Sequence, residues 1–293
     1  MRGARAVRTL VVRKQRGASY LRGRHQFRLT GDGFRLFARM ESLLPRSPAL
    51  SETTERIRTG VDDFDRMLSG GYPSGSSTIL AGPSGTGKTT FGLQFLAQST
   101  PDHPGLLFGF YETPARLLTK ARSIGIDIDE LIASGALEIA WQSPSENLPD
   151  ELGRLLLAAV EKRAVKRVFF DGIGALRHAF VFPERIPLFL NAINNTLRES
   201  DTTVVYSMEL SQLFMPEMIT TDELSSMVEN VVLLHYARHS ERIEREIFIL
   251  KIRDSDFDAF PESFHITSRG VQFGTSTDRE KRPDASNNIS GGA

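Results

Sequence analysis

The run GPSGTGKTT places Gly82, Gly87, Lys88 and Thr89 at the fixed positions of G-x-x-x-x-G-K-[ST], with Pro83, Ser84, Gly85 and Thr86 between them and Thr90 after them. Small residues let consecutive backbone N–H groups turn into one concavity, and a following helix adds the positive end of its dipole, so such a loop suits a chain of phosphates. Lys88 is placed to reach the β- and γ-phosphates, and the Thr89 hydroxyl can take one position on an octahedral Mg²⁺. The expected ligand is a nucleoside triphosphate.

Two carboxylates can complete this chemistry. KRVFFDG, residues 166–172, reads as an apolar strand ending in an acid. At the carboxyl end of a parallel strand Asp171 faces the ligand crevice and can hold Mg²⁺ through water; its plain alternative is a helix cap. Glu112 follows the apolar run 105–111, expected to form the strand beside the loop strand. A carboxylate there can orient the water that attacks the γ-phosphate, or it can be an exposed helix-start residue in ETPARLL.

These residues need a scaffold of parallel strands with helical crossovers. From residue 57 to 273, short apolar runs alternate with helical periodicity, the signature of βαβ units in an α/β fold. Expected strands cover 77–81, 105–111, 137–141, 167–171, 203–208 and 231–236, with 244–253 as a hairpin partner. Expected helices cover 89–98, 114–123, 149–163, 183–199 and 222–229, and TGVDDFDRMLSGGYPSGS supplies a short helix and a glycine turn before the first core strand. Residues 275–293 are polar and aperiodic and read as a disordered tail.

Bulk properties set limits. A chain of 293 residues with 40% hydrophobic side chains can bury a full core. With no cysteine, disulfides and thiolate metal sites are excluded, which is compatible with a reducing cytoplasm. No apolar stretch reaches the ~18 residues a membrane span needs, so no membrane association is expected. Net charge is zero, yet residues 1–50 carry 12 Lys and Arg against Asp32 and Glu41, a net of +10. Such a segment reads as a nucleic-acid arm, a transit peptide, or structure whose partners lie elsewhere.

An internal repeat favours the third reading. With an offset of 251 − 14 = 237, residues 12–36 lie on residues 249–273 without a gap, pairing Lys14 with Lys251, Arg16 with Arg253, Phe27 with Phe264, Thr30 with Thr267 and Gly33 with Gly270. Residues 1–44 then read as the closing hairpin of an upstream copy of the domain, 45–55 as a linker, and 56–274 as the complete domain.

Five stretches together resemble the KaiC branch of the RecA-like ATPases: GVDDFDRMLSGGYPSGSSTILAGPSGTGKTT, LLFGFYETPARLLTKARSIGID, RVFFDGIGAL, SSMVENVVLLHY and ILKIRDSDFD with FHITSRGVQF. The N-terminal VVRKQRGASYLRGRHQFRLTGDGFRLF is similar to the close of a first domain of that kind. The resemblance implies a RecA core that binds ATP with Mg²⁺ between the subunits of a ring, commonly a hexamer. Lys251 and Arg253 match the family's K-x-R pair, which reaches the neighbour's γ-phosphate; read alone they are two solvated strand residues. The family usually shows two adjacent acids where this chain has Tyr111-Glu112, and a phenol with a pKa of ~10 is a poor proton acceptor at neutral pH. The family's phosphorylated Ser-Thr pair would fall at Ser225-Ser226, where packing or capping is the plain reading.

The leading expectation is a cytoplasmic, ring-forming Mg-dependent ATPase in signalling or regulation, with an unidentified regulatory protein partner. Its rivals are a Ser/Thr kinase acting on itself or another protein, an ATP-dependent switch with little hydrolysis, and a DNA-binding mediator. Residues 208–222 lack the Lys and Arg density expected of the last, so nucleic acid is not favoured.

Overall fold

A computed structural model describes residues 7–43, 55–143, 146–210, 227–239, 242–253 and 255–274. Ser225, Ser226, the body of the expected helix 222–229, most of the linker and the 275–293 tail lie outside the described residues.

The chain opens with β1 (Arg8–Leu10), β2 (His25–Thr30) and β3 (Gly33–Phe37), then a 3₁₀ turn at Met40–Ser42. Next come β4 (Arg56–Ile57), α1 (Asp62–Met67), β5 (Tyr72–Pro73), β6 (Ser77–Gly82) and α2 (Lys88–Ala97). They are followed by β7 (Gly105–Gly109), α3 (Pro114–Ser123), α4 (Ile128–Ala133), β8 (Leu137–Trp141), α5 (Pro149–Arg163) and β9 (Arg167–Asp171). A second part contains α6 (Leu176–Ala179), α7 (Ile186–Glu199), β10 (Thr203–Glu209), β11 (Asn230–His239), β12 (Arg242–Lys251), β13 (Glu262–Thr267) and β14 (Gly270–Phe273).

The main sheet has the order β14-β13-β12-β11-β6-β10-β9-β7-β8. The strands from β11 to β8 are mutually parallel, and β12, β13 and β14 add antiparallel. Successive side chains on a strand point to opposite faces, and each parallel strand serves two cores. Ile79, Phe108, Phe170 and Tyr206 pack with α5 and α7 on one face, while Leu80, Leu107, Phe169 and Val205 pack with α1, α2 and α3 on the other. The α/β architecture expected from the periodicity is therefore present, with a RecA-like mostly parallel sheet.

Four local expectations need correction. β7 does not lie beside the loop strand: β10 and β9 sit between it and β6, because later strands fill the gap that the first crossover leaves, an arrangement sequence neighbourhood does not encode. β7 also stops at Gly109, where the chain bends. Phe110 stays buried against Phe108 and Phe170, and Tyr111 turns outward with 60% exposure. Pro183–Arg185 forms a 3₁₀ turn and the helix proper starts at Ile186; α4, capped by the Asp127 carboxylate accepting from Glu130 N–H, was absent from the expected helices.

The N-terminal strands form their own sheet, whose register repeats that of the main sheet's end. Adding 237 to Arg8↔Phe27, Phe27↔Leu36 and Thr30↔Gly33 gives Arg245↔Phe264, Phe264↔Phe273 and Thr267↔Gly270, all of which are pairs in β12, β13 and β14. Thr30 and Thr267 even donate the same turn bond, to Gly33 O and Gly270 O, at 3.3 Å each. Burial differs sharply between the copies. Phe264 is fully buried and packs against Phe91 of α2, whereas Leu29, Phe34 and Leu36 on the matching face are 59%, 52% and 40% exposed.

The segment after β3 plugs into the main domain. Met40 is buried in the core beside Gly153 and Phe189, and its N–H donates to Asp150 Oδ1 at 3.1 Å. Arg185 bridges both carboxylates, donating to Glu41 at 2.6 and 2.8 Å and to Asp150 at 2.8 Å. A buried charge network of this kind holds together because every ion has an opposite partner.

Candidate active site

β6 delivers its carboxyl end to the loop, and the loop's shape follows from its glycines. A Cβ at Gly82 would lie 2.3 Å from Leu234 O of β11, so this position admits only hydrogen. Gly87 caps α2 with φ of 109°, a left-handed conformation open to glycine at little cost. Thr86 is buried and its hydroxyl donates to Pro83 O at 2.9 Å, closing the turn, while Ser84 and Gly85 face outward. Thr90, also buried, lies in the first turn of α2.

Lys88 Nζ donates to Gly82 O and Pro83 O at 2.7 Å each. Burial lowers its pKa, opposed by the negative charges of Glu209 and Asp171 and reinforced by the positive charge of Lys120. The neighbouring Thr89 Oγ1 lies 3.5 Å from Asp171 Oδ2. Asp171 is oriented from its other side: Ser207 Oγ donates to Asp171 Oδ1 at 2.6 Å and accepts from Gly172 N–H at 2.8 Å. Burial raises the Asp171 pKa against the stabilising Ser207 bond, with Glu112 adding to the rise.

This oxygen pair fits magnesium, which takes oxygen ligands and keeps several of its waters. Among the described residues no cluster of three or more His, Cys, Asp and Glu forms a closed metal cage. Bound there, the ion would neutralise charge between phosphate oxygens.

Glu112 reaches the site by a different route from the expected one. The chain bends after β7 toward the end of β9, and the Tyr111 ring lies against Gly172, where a Cβ would be 2.8 Å from it. Glu112 Oε1 accepts from Lys120 Nζ of α3 at 3.0 Å. Burial, and then the charge of Glu209, raise the Tyr111 pKa, so the phenol stays protonated at neutral pH and supplies no base.

Lys88, Thr89, Asp171 and Glu112 are thus brought to one edge of the sheet. Lys251 and Arg253 are not. Lys251 pairs with Val231, itself level with Ile79, and Arg253 N–H donates to Asn230 Oδ1 at 3.2 Å. Both therefore sit toward the start of β6, at the opposite edge from the loop that ends the strand.

Sequence reading missed Ser207, Lys120, Glu209 and Arg245. Arg245 Nε donates to Gly85 O at 3.2 Å and its guanidinium lies 5.8 Å from the centre of the Tyr236 ring, which brings the β11–β12 hairpin over the loop. Ser207 had a signal, a small hydroxyl near the carboxyl end of a mostly apolar strand. The others look like ordinary surface charges until the fold brings them in.

A family model described as "ATPase: KaiC" matches residues 57–278. The circadian clock oscillator protein KaiC of Parathermosynechococcus lividus is 26% identical over 276 residues, 93% of this chain and 50% of the relative. Its counterparts from Nostoc sp. and Synechococcus elongatus are also 26% identical, over 274 and 272 residues, with 93% and 92% of this chain and 52% and 51% of theirs covered. The chain spans about half the length of these curated relatives. With a phosphate loop, an oriented acid across from it and a family match over most of its length, the chain belongs to the KaiC family of RecA-like P-loop ATPases.

Proposed function

We propose that the chain binds Mg-ATP in the loop of residues 82–90 and hydrolyses it at interfaces between copies of itself, as a ring-shaped, regulatory ATPase. Lys88 and the loop amides hold the phosphates, Thr89 and Asp171 hold the metal, and Glu112 orients the attacking water. Lys251 and Arg253 of an adjacent copy add positive charge where the transition state gains negative charge. The observation that carries this reading is the position of Lys251 and Arg253 at the sheet edge away from their own loop. Cations at that edge can reach a second molecule, and a head-to-tail contact whose rotation closes gives a ring. The hexamer implied by the resemblance is the expected form. The test is sizing with and without ATP, then turnover per chain against protein concentration. Assembly with ATP and activity that rises with concentration support the reading; a monomer whose activity per chain ignores dilution overturns it.

We also propose that residues 1–44 are the closing strands of a second KaiC-type unit, joined by 45–55 to the complete domain at 56–274. The shared register and the bare apolar face of β2 and β3 support this, because the same face is covered by α2 in the complete copy. The 93% coverage by the relatives also extends into residues before 57. The N-terminal positive charge is then structural, and a nucleic-acid role is not needed to explain it.

A further inference from the structure

The Glu112–Lys120 pair bridges the bend after β7 and the body of α3, with 3.0 Å between charged atoms. About a third of each side chain is exposed, 32% for Glu112 and 35% for Lys120. An ion pair this open contributes only ~0–1 kcal/mol, so a stronger anion close by can take the lysine away. Such an anion has its place here. The positive charge of Lys120 bears on both Lys88 and Asp171, and the negative charge of Glu112 bears on Asp171. In the ATPase reading above, the terminal phosphate lies beside Lys88 and Asp171, so α3 contributes a second cation on that side, independent of the loop.

A triphosphate differs from a diphosphate by a group carrying roughly two negative charges in this region. The single carboxylate of Glu112 outcompetes nothing of that charge at similar distance.

We propose that Lys120 reads the γ-phosphate: it holds Glu112 when a diphosphate is bound and turns to the terminal phosphate of a bound triphosphate, freeing the Glu112 carboxylate to orient water. This rests on the ATPase reading above and adds to it a switch within one chain. Lys120 is then a phosphate ligand in one state and a positioning residue for Glu112 in the other. Discrimination between ATP and ADP follows from it directly, since only the triphosphate gains the second cation. The plain alternative is a surface pair that merely steadies the start of α3.

The experiment is binding by the full chain, with Mg²⁺, of ADP and of the non-hydrolysable β,γ-imido analogue of ATP. Lys120→Met is expected to weaken the analogue about tenfold, the size of a lost charged hydrogen bond, while ADP affinity stays within about twofold of wild type on the same scale. Lys120→Arg, which keeps the charge, is expected to restore most of the preference, and an unchanged thermal transition shows that the variants fold. A ratio of the two affinities that is the same in wild type and Lys120→Met overturns the proposal, as does an equal loss for both nucleotides in a folded variant. Binding is read without turnover, so a wild-type chain that fails to hydrolyse ATP would defeat the ATPase reading and leave this question answerable.

Discussion

Ser207 donates a 2.6 Å hydrogen bond to Asp171 Oδ1, which leaves Oδ2 on the side of Thr89, 3.5 Å from its hydroxyl. The carboxylate is thereby fixed in rotation, with Oδ1 held by Ser207 and Oδ2 turned toward the Thr89 hydroxyl. The bond comes from neighbouring strands, because Tyr206 of β10 is level with Phe170 of β9. Ser207→Ala is expected to leave the fold intact and to weaken Mg²⁺ about 10- to 100-fold, the usual effect of losing a partner that orients a ligand. A magnesium titration of nucleotide binding checks this.

The ring reading makes a mixing prediction. Lys88→Ala chains keep the reaching pair but lose the loop lysine, and Arg253→Ala chains keep the loop but lose the reaching arginine. Each alone is expected to be nearly inactive. Mixed in equal amounts and reassembled, about a quarter of the interfaces should combine an intact loop with an intact arginine, by random pairing of neighbours in a closed ring. Activity per chain near that fraction of wild type supports a shared site, and no recovery counts against it.

Gly82→Ala is expected to destabilise the domain by about 1–3 kcal/mol, since the new methyl would sit 2.3 Å from the Leu234 carbonyl, a backbone atom of the adjoining strand. Gly174→Ala is the comparison, because beyond its chain neighbours no atom lies within 4 Å of where its methyl would sit. Denaturant midpoints for the two variants should separate clearly.

The plug of the N-terminal segment has a pH signature. Burial pushes the Glu41 carboxyl up, but the hydrogen bonds and charge of Arg185, with Arg39, outweigh it and the net pKa is lowered. A carboxyl lowered by folding stabilises above its unfolded pKa, and that stability is lost as pH falls through the folded value. Glu41→Gln should therefore cost about 1–3 kcal/mol at neutral pH, and the gap to wild type should close on acidification below the ordinary carboxylate range. Asp150 acts in the opposite sense, because burial raises its pKa, and the charge of Glu41 adds to that rise, so Glu41→Gln also relieves part of it. Chemical denaturation of both proteins at several pH values checks the trend.

The two copies of the closing strands should respond differently to truncation. Phe264→Ala removes a buried ring that packs on Phe91 and is expected to cost about 3–5 kcal/mol. Phe34→Ala, on the bare face, is expected to change stability by no more than about 0.5 kcal/mol. Equal losses would mean that the N-terminal face is covered in solution.

The sequence determined the local parts. G-x-x-x-x-G-K-[ST] after an apolar run and before a helix specifies the phosphate loop, since backbone amides and one lysine spacing suffice to build it. The acid ending RVFFD and the repeat at an offset of 237 residues were equally legible, whereas the strand register that pairs Thr30 with Gly33, as Thr267 pairs with Gly270, was seen only in the structure. Tertiary structure alone decided which strands lie side by side, and so which distant residues meet. β10 and β9 separate β7 from the loop strand, and this brings Ser207 to Asp171 and makes Glu112 arrive by a bend with Lys120 attached. Chain-local periodicity fixes which face a side chain takes; the order of strands depends on how crossovers pack around a shared core, and no short stretch of residues carries that information.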